Sequence, residues 1–416
     1  MKDLRHLNLY STGIRELPRS ITSCSNLEKL QLGESYLEEL PDDLGELQNL
    51  VLLDVSSTPI KEVPESIILL RKLTSLNFNN CGNLHKLPKD IGAAMRHVRI
   101  LDIGTTQIRT LPDLYELSSL EYVDLGKAML PRDVRNWNKL EHLKYDGHRK
   151  MSSKGWEESS LSSSFPCLKK LSIEICPKLV TVPDVALKHD LAHLQINGIS
   201  ELESLPRQNL QPELKYLKLW GCPKFQGFHS NEEESNLNNI SVATNSSLED
   251  SIYLEELQIQ CPQERNSLSV DLQCIRDLQD FKIGWFSEEP GSFPFSIEQF
   301  SSFASLQRLE IDGCSKLKIL PEQLQHLTSL KEFTISNMGL DMVVLPEWIG
   351  DLSRLVRLET RNCENLVHMP SKETMLRLKF LKFLFIEACP LLEQSCNCQA
   401  GEDWDKISQI KYIRFL

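Results

Sequence analysis

The chain has 416 residues, 41% of them hydrophobic and 25% charged, with a net charge of −12 and a pI near 5.4. This composition excludes a disordered chain, and the missing basic footprint argues against general nucleic-acid binding. No apolar run approaches the roughly 20 residues of a membrane-spanning helix, and Met1 to Leu7 has no signal-peptide stretch, so a cytosolic or cytosolic and nuclear location is expected.

The first element is the hexad Leu4-Arg5-His6-Leu7-Asn8-Leu9. It returns at Leu27, Leu50 and Leu73, each time 23 residues on. Further hexads start at Val98, Leu120, Leu140, Leu168, Leu191, Leu214, Leu254, Leu278, Leu306, Leu330, Leu355 and Leu381, giving sixteen units. A period of this size implies a solenoid with one continuous core. The Leu-x-Leu core of each hexad has the period of two that places both leucines on one face of a short strand. One such strand cannot bury its face alone; stacked in parallel, neighbours build a sheet. Most units then carry an aliphatic residue followed by proline: Leu17-Pro18, Leu40-Pro41, Val63-Pro64, Leu87-Pro88, Leu111-Pro112, Leu130-Pro131, Val182-Pro183, Leu205-Pro206, Leu320-Pro321, Leu345-Pro346 and Met369-Pro370. Proline lacks an N–H and suits an extended or short helical return path. The return is wider than the strand, so the stack is expected to curve with its strands inside.

Three stretches break the period: a serine-rich one over residues 146–166, an acidic Asn/Ser-rich one over 226–251, and a phenylalanine-bearing one over 284–303. All three read as surface loops. The expected organisation is one domain over 1–416, with regular repeats over 1–145, irregular repeats with insertions over 146–305 and regular repeats over 306–388. Residues 389–416 read as a C-terminal cap, with Trp404, Ile407, Ile410 and Ile413 folding over the last coil. Met1 falls in the strand phase of the first unit with no cap before it, so the chain reads as part of something longer or as a truncated product.

Cys81, Cys176, Cys222, Cys314, Cys363 and Cys389 all occupy the ninth slot of a unit, as do Thr12, Thr58 and Thr106. Most of these cysteines are separated by at least one intervening repeat, beyond disulfide reach, and read as buried reduced thiols. Cys396 and Cys398 are expected to be exposed; with Cys389 they fall short of a zinc site. No catalytic motif is present, so an enzyme is not expected and no cofactor or metal is implied. His6, His142 and His193 read as outward-facing polar residues, and the sequons at Asn239 and Asn245 as chance matches.

With hexad positions one, four and six facing the core, positions three, five and seven form the opposite face. Early units present Gly33, Ser56, Asn79, Gly104 and Gly126 there. Later units present Lys144, Lys170, Tyr216, Lys218, Trp220, Lys282, Arg308, Arg357 and Arg361, interspersed with Glu174, Asp312 and Glu359. Aromatic residues and arginine dominate binding hot spots, so these nine residues are the candidate partner-binding set.

The hexad and its ninth slot resemble the leucine-rich repeat, L-x-x-L-x-L-x-x-(N, C or T)-x-L, over nearly the whole chain. The resemblance implies an α/β horseshoe, with a parallel sheet on its concave face and irregular or short helical segments on its convex side. The tail Cys389-Pro390-Leu391-Leu392-Glu393 … Gly401-Glu402-Asp403-Trp404 … Lys406-Ile407 is similar to the end of plant nucleotide-binding leucine-rich-repeat immune receptors, the coiled-coil class most closely. That resemblance implies protein partners in defence: a pathogen effector or modified host protein, and the nucleotide-binding module of a parent receptor. The 416 residues contain no G-x-x-x-x-G-K-[ST] loop, so nucleotide binding is not carried over. The alternative is an intracellular scaffold of the Ras-group-related type, whose 23-residue Leu-Pro units the early repeats also resemble.

Overall fold

The computed structural model describes residues 3–129, 131, 133–147, 165–180, 182, 190–206, 210, 213–225, 227–229, 252–260, 272, 275–284, 303–313, 319–398 and 401–416. Most of the three aperiodic stretches therefore lies outside the described residues, as do Leu130, Pro183, Asn239, Asn245 and Cys314. The chain forms two compact units, Met1–Ile199 and Ser200–Leu416. Each is a parallel β-solenoid of stacked coils with few, short helices, which is the expected architecture.

In the first unit the strands are β1 (His6–Asn8), β2 (Lys29–Gln31), β3 (Leu52–Asp54), β4 (Ser75–Asn77), β5 (Ile100–Asp102), β6 (Tyr122–Asp124), β7 (His142–Asp146), β8 (Lys170–Glu174) and β9 (His193–Asn197). Each pairs in parallel with the next, in the register the hexad dictates: Leu7 faces Leu30, then Leu53, Leu76, Leu101, Val123, Leu143, Leu171 and Leu194. From Leu30 onward every member of this row is at most 2% exposed.

The second unit contains β10 (Ser204–Pro206), β11 (Tyr216–Trp220), β12 (Gly227–His229), β13 (Ile252–Tyr253), β14 (Glu256–Gln260), β15 (Ile275–Arg276) and β16 (Asp280–Gly284). They are followed by β17 (Arg308–Asp312), β18 (Glu332–Ser336), β19 (Arg357–Arg361), β20 (Phe383–Glu387) and β21 (Tyr412–Phe415). Its main ladder runs β11, β14, β16, β17, β18, β19, β20, β21, all parallel. Separate parallel pairs join β10 to β12 and β13 to β15.

The aliphatic-proline step works as its chemistry requires. Pro18, Pro64, Pro321 and Pro346 sit at φ between −61° and −72° and open a 3-10 turn, while the residue before each is buried. The ninth slot has a clear physical basis. The hydroxyls of Thr12, Ser35, Thr58 and Thr106 donate to the carbonyl three residues back, at 2.6 to 2.9 Å, closing the turn after the strand. In Cys222, Cys363 and Cys389 the thiol donates instead to the carbonyl two residues back, at 3.2 to 3.5 Å. The turn also needs a left-handed residue at the eighth position, filled by Ser11, Asn80, Thr105, Asn337 and others, by Gly198, Gly221 and Gly313, and by the β-branched Ile175 at φ 49°.

The described cysteines are free thiols. Cys363 and Cys389 stand on adjacent coils rather than a repeat apart, and the Cys363 N–H donates to Cys389 Sγ at 3.3 Å. Cys396 is fully buried, not exposed as expected, because it packs at the C-terminal end of the helix Pro390–Ser395; Cys398 is exposed. Residues 401–416 form the helix Trp404–Ile407 and then β21, which is in register with β20. Asp403, 1% exposed, ties this segment down. Its carboxylate pairs with Lys406 Nζ at 2.5 Å and accepts the Met369 N–H at 2.6 Å.

Candidate interaction face

The face of each sheet opposite the core carries the candidate residues. In the first unit its fifth-position residues cap their own turns. Oδ1 of Asn8, Asp54, Asn77, Asp102 and Asp124 each accepts the N–H two residues on, at 2.9 to 3.0 Å. Asp124 is 1% exposed, and Lys144 Nζ stands 3.1 Å from its Oδ2. Burial works against the Lys144 ammonium, yet the Asp124 carboxylate, helped by Glu174 and Asp102, more than offsets it and raises the lysine's pKa. Burial likewise pushes up the carboxyls of Asp102 and Asp146, with the neighbouring carboxylates adding to it. Lys144 is therefore a counter-ion to an acidic row. Lys170, at the start of β8, is exposed and makes no ion pair among the described residues.

In the second unit Tyr216, Lys218 and Trp220 project from β11 on this face, alternating with buried Leu217 and Leu219. The Trp220 indole reaches past β14 to Gly284 on β16, where a Cβ would lie 3.0 Å from its Cη2. Two ammonium groups, Lys218 and Lys282, each stand 5.6 Å from the ring centroid. Lys218 makes no ion pair among the described residues.

The remaining candidates are less cationic than the sequence suggests. Lys282 Nζ is bound by Glu310 at 2.6 Å and Asp312 at 3.4 Å. Arg308 is paired with Asp280. Arg357 and Arg361 share Glu359, which is 3% exposed, at 2.8 and 2.6 Å, and Arg361 also reaches Glu387 at 3.3 Å. The acids interspersed in the sequence make this face a charge-balanced mosaic: parallel register sets Lys282 beside Glu310 and Arg308 beside Asp280 on neighbouring rungs, and Glu359 lies between two arginines on its own strand. Hydrogen bonds and charge from Asp280 raise the Arg308 pKa, fixing that cation in place.

A second aromatic group escaped sequence reasoning. Phe383 and Phe385 on β20 stack at 6.3 Å and 17°, and Phe383 stacks on Tyr412 of β21 at 5.0 Å and 12°. The Arg357 guanidinium lies over Phe385 at 4.5 Å. The signal was available: Phe383 and Phe385 hold positions three and five of the hexad at Leu381. Tyr412 was hidden because its unit begins with isoleucine, Ile410-x-x-Ile413-x-Phe415.

His6, His142 and His193 lie on the same face and are exposed. Among the described residues no group of three or more His, Cys, Asp or Glu could hold a metal ion, and no helix is long and apolar enough to cross a membrane.

These stacked parallel coils, with a hydroxyl or thiol closing many of their turns, define a repeat protein that offers a surface rather than a pocket. A family model described as a leucine-rich repeat region matches residues 21–247, more than half of the chain, and the chain belongs to that family. Its curated relatives include disease resistance proteins of Arabidopsis thaliana. RPS4B is 27% identical over 223 residues, 49% of this chain and 17% of that protein. RPP4 is 26% identical over 330 residues, 68% of this chain and 28% of that protein. RPP5 is 26% identical over 346 residues, 71% of this chain and 23% of that protein. The chain thus spans 17% to 28% of the length of these relatives. Among solved structures, a leucine-rich-repeat protein of Leptospira interrogans aligns with 100% of this chain and 96% of its own, at TM-score 0.52 and 23% identity. TLR13, in its complex with ssRNA13, aligns with 94% of this chain and 50% of its own, at TM-score 0.54 and 18% identity. These likenesses show the fold; the sequence relatives show a leucine-rich repeat region distantly homologous to plant disease-resistance proteins.

Proposed function

We propose that this chain is the non-enzymatic recognition region of a plant intracellular immune receptor of the nucleotide-binding leucine-rich-repeat type. It binds a pathogen effector, or a host protein altered by one, and packs against the receptor's nucleotide-binding module in the cytosol or nucleus. The tail motif around Gly401-Glu402-Asp403-Trp404 favours the coiled-coil class; the matched relatives bear on the repeats and support the resistance-type reading over the Ras-group-related scaffold.

The observation that carries the proposal is Trp220. An indole laid on the outer face of a sheet, beside Lys218, which makes no ion pair among the described residues, offers area and charge at little conformational cost. In plant leaf tissue, the chain carrying a proximity-labelling tag marks its partner set, and Trp220→Ala is expected to lose part of that set. The loss corresponds to ~1–2 kcal/mol of affinity in titration with any partner so identified. Leu217→Ala, on the core face of the same strand, instead costs ~2–5 kcal/mol of stability. An unchanged partner set and unchanged affinities for Trp220→Ala, with a native circular dichroism spectrum, would falsify the assignment.

A further inference from the structure

Strands β19 to β21 present a second face that differs in kind from the Trp220 patch and does not rest on it. Phe383, Phe385 and Tyr412 stack with nearly parallel planes, and the Arg357 guanidinium covers the Phe385 ring. The 5.0 Å separation of Phe383 and Tyr412 is close to the spacing of adjacent strands, so the rings stand upright from the sheet. Phe383 stacks on both Phe385 and Tyr412, and Arg357 covers Phe385, so the faces of the two phenylalanines are taken up. What they turn outward is ring rim, the electropositive part of the aromatic quadrupole.

The charges point the same way. Five bases lie on or beside these strands, Arg357, Arg361, Lys382, Lys411 and Arg414, against two acids, Glu359 and Glu387, on a chain whose net charge is −12. Glu359 is buried beneath the two arginines and Lys411 Nζ stands 5.0 Å from the Tyr412 ring centroid. Arg414 is exposed, lies level with Phe385 in the ladder, and makes no ion pair among the described residues. Apolar rims bordered by Lys382, Lys411 and Arg414, which make no ion pair among the described residues, fit carboxylates carried among aliphatic side chains.

We infer that the face formed by Arg357, Phe383, Phe385, Tyr412 and Arg414 is a docking site for an acidic, aliphatic-rich protein segment. A single-stranded nucleic acid would also find cations here, but it binds by stacking successive bases on free aromatic faces, and Phe383 and Phe385 already stack with Tyr412 and Arg357.

The test is fluorescence anisotropy of the full chain with a short labelled peptide alternating glutamate and leucine. Controls are a lysine–leucine peptide, a glycine–serine peptide and an oligodeoxythymidine. The glutamate–leucine peptide is expected to bind with an affinity that falls as salt rises, and to protect β19 to β21 from hydrogen exchange. Arg414→Glu, at an exposed position, and Phe385→Ala should each weaken it ~10-fold or more, while Trp220→Ala leaves it unchanged. The proposal is overturned if the peptide does not bind, if the lysine–leucine peptide or the oligonucleotide binds as well, or if Arg414→Glu has no effect. Protection confined to other strands overturns it equally. Loss of binding in Trp220→Ala alone would move the site to the other patch.

Discussion

Trp220 and Gly284 are two strands apart, yet they meet: the indole edge fills the space that any side chain at Gly284 would need. Valine there would place its branched carbons inside the ring's van der Waals surface, and the indole must lift off the sheet. Gly284→Val is therefore expected to weaken any partner that depends on Trp220 by ~1–2 kcal/mol, with little further loss when combined with Trp220→Ala. A double-mutant cycle by titration calorimetry checks this; full additivity would separate the two residues.

Asp403 explains part of the tail motif in physical terms. It is a buried carboxylate that holds Lys406 and the Met369 N–H, so removing it leaves the N–H without its acceptor and Lys406, which still donates to the Met369 carbonyl, without its counter-charge. Asp403→Ala should cost ~3–5 kcal/mol in chemical denaturation. Asp403→Asn keeps an acceptor for Met369 and should cost less. Equal stability of Asp403→Ala and the wild type would show that the segment is held by Ile407 and Ile410 alone.

The Asp102 carboxyl should respond to acid in the opposite sense from a salt-bridged one. Burial raises the Asp102 carboxyl above its unfolded value, so the folded state binds the extra proton first. Stability from this group rises as pH falls through the folded pKa, and the gain is complete below the unfolded value of about 3.9. Asp102→Asn copies the residue that Asn77 already supplies one rung away. It is expected to gain ~0.5–1 kcal/mol at neutral pH, with the advantage shrinking as pH is lowered. Thermal melts of both proteins across that range decide it, and a constant difference would remove burial of charge as the cause.

Ile175 holds a left-handed backbone, φ 49°, that β-branched residues disfavour, and its side chain is 51% exposed. Asparagine takes the same slot in Asn80, Asn337 and Asn362. Ile175→Asn should gain about 1–2 kcal/mol. A lower melting temperature would mean that the isoleucine's packing on Gly198 outweighs the strain.

The core of this fold was legible because it depends on local period alone. Leu30, Leu53 and Leu76 are one pattern read three times, and the ninth-slot residues follow from the same count. Trp220 and Lys218 were legible as outward-facing for that reason. The ion pairs were not. Lys282 and Glu310 stand opposite each other at the fifth position of successive units, so that pairing needed the order of the rungs; Arg361 meets Glu359 within its own strand, which the period does not encode. The aromatic stack at Tyr412 needed recognition of an isoleucine-led unit, and the reach of Trp220 to Gly284 needed a side-chain rotamer.

The turn-closing hydrogen bonds have one more consequence. Thr12, Thr58 and Thr106 each satisfy a carbonyl of their own coil, and Asn8, Asp54 and Asp102 each satisfy an N–H of their own coil. A coil carries its polar partners with it. Duplication or loss of a whole coil leaves these turn groups paired, even where a bond that crosses coils, such as Trp137 to Leu114, must find a new partner. The number of coils, and with it the extent of the recognition face, is thus free to vary by whole-repeat exchange while each remaining turn keeps its chemistry.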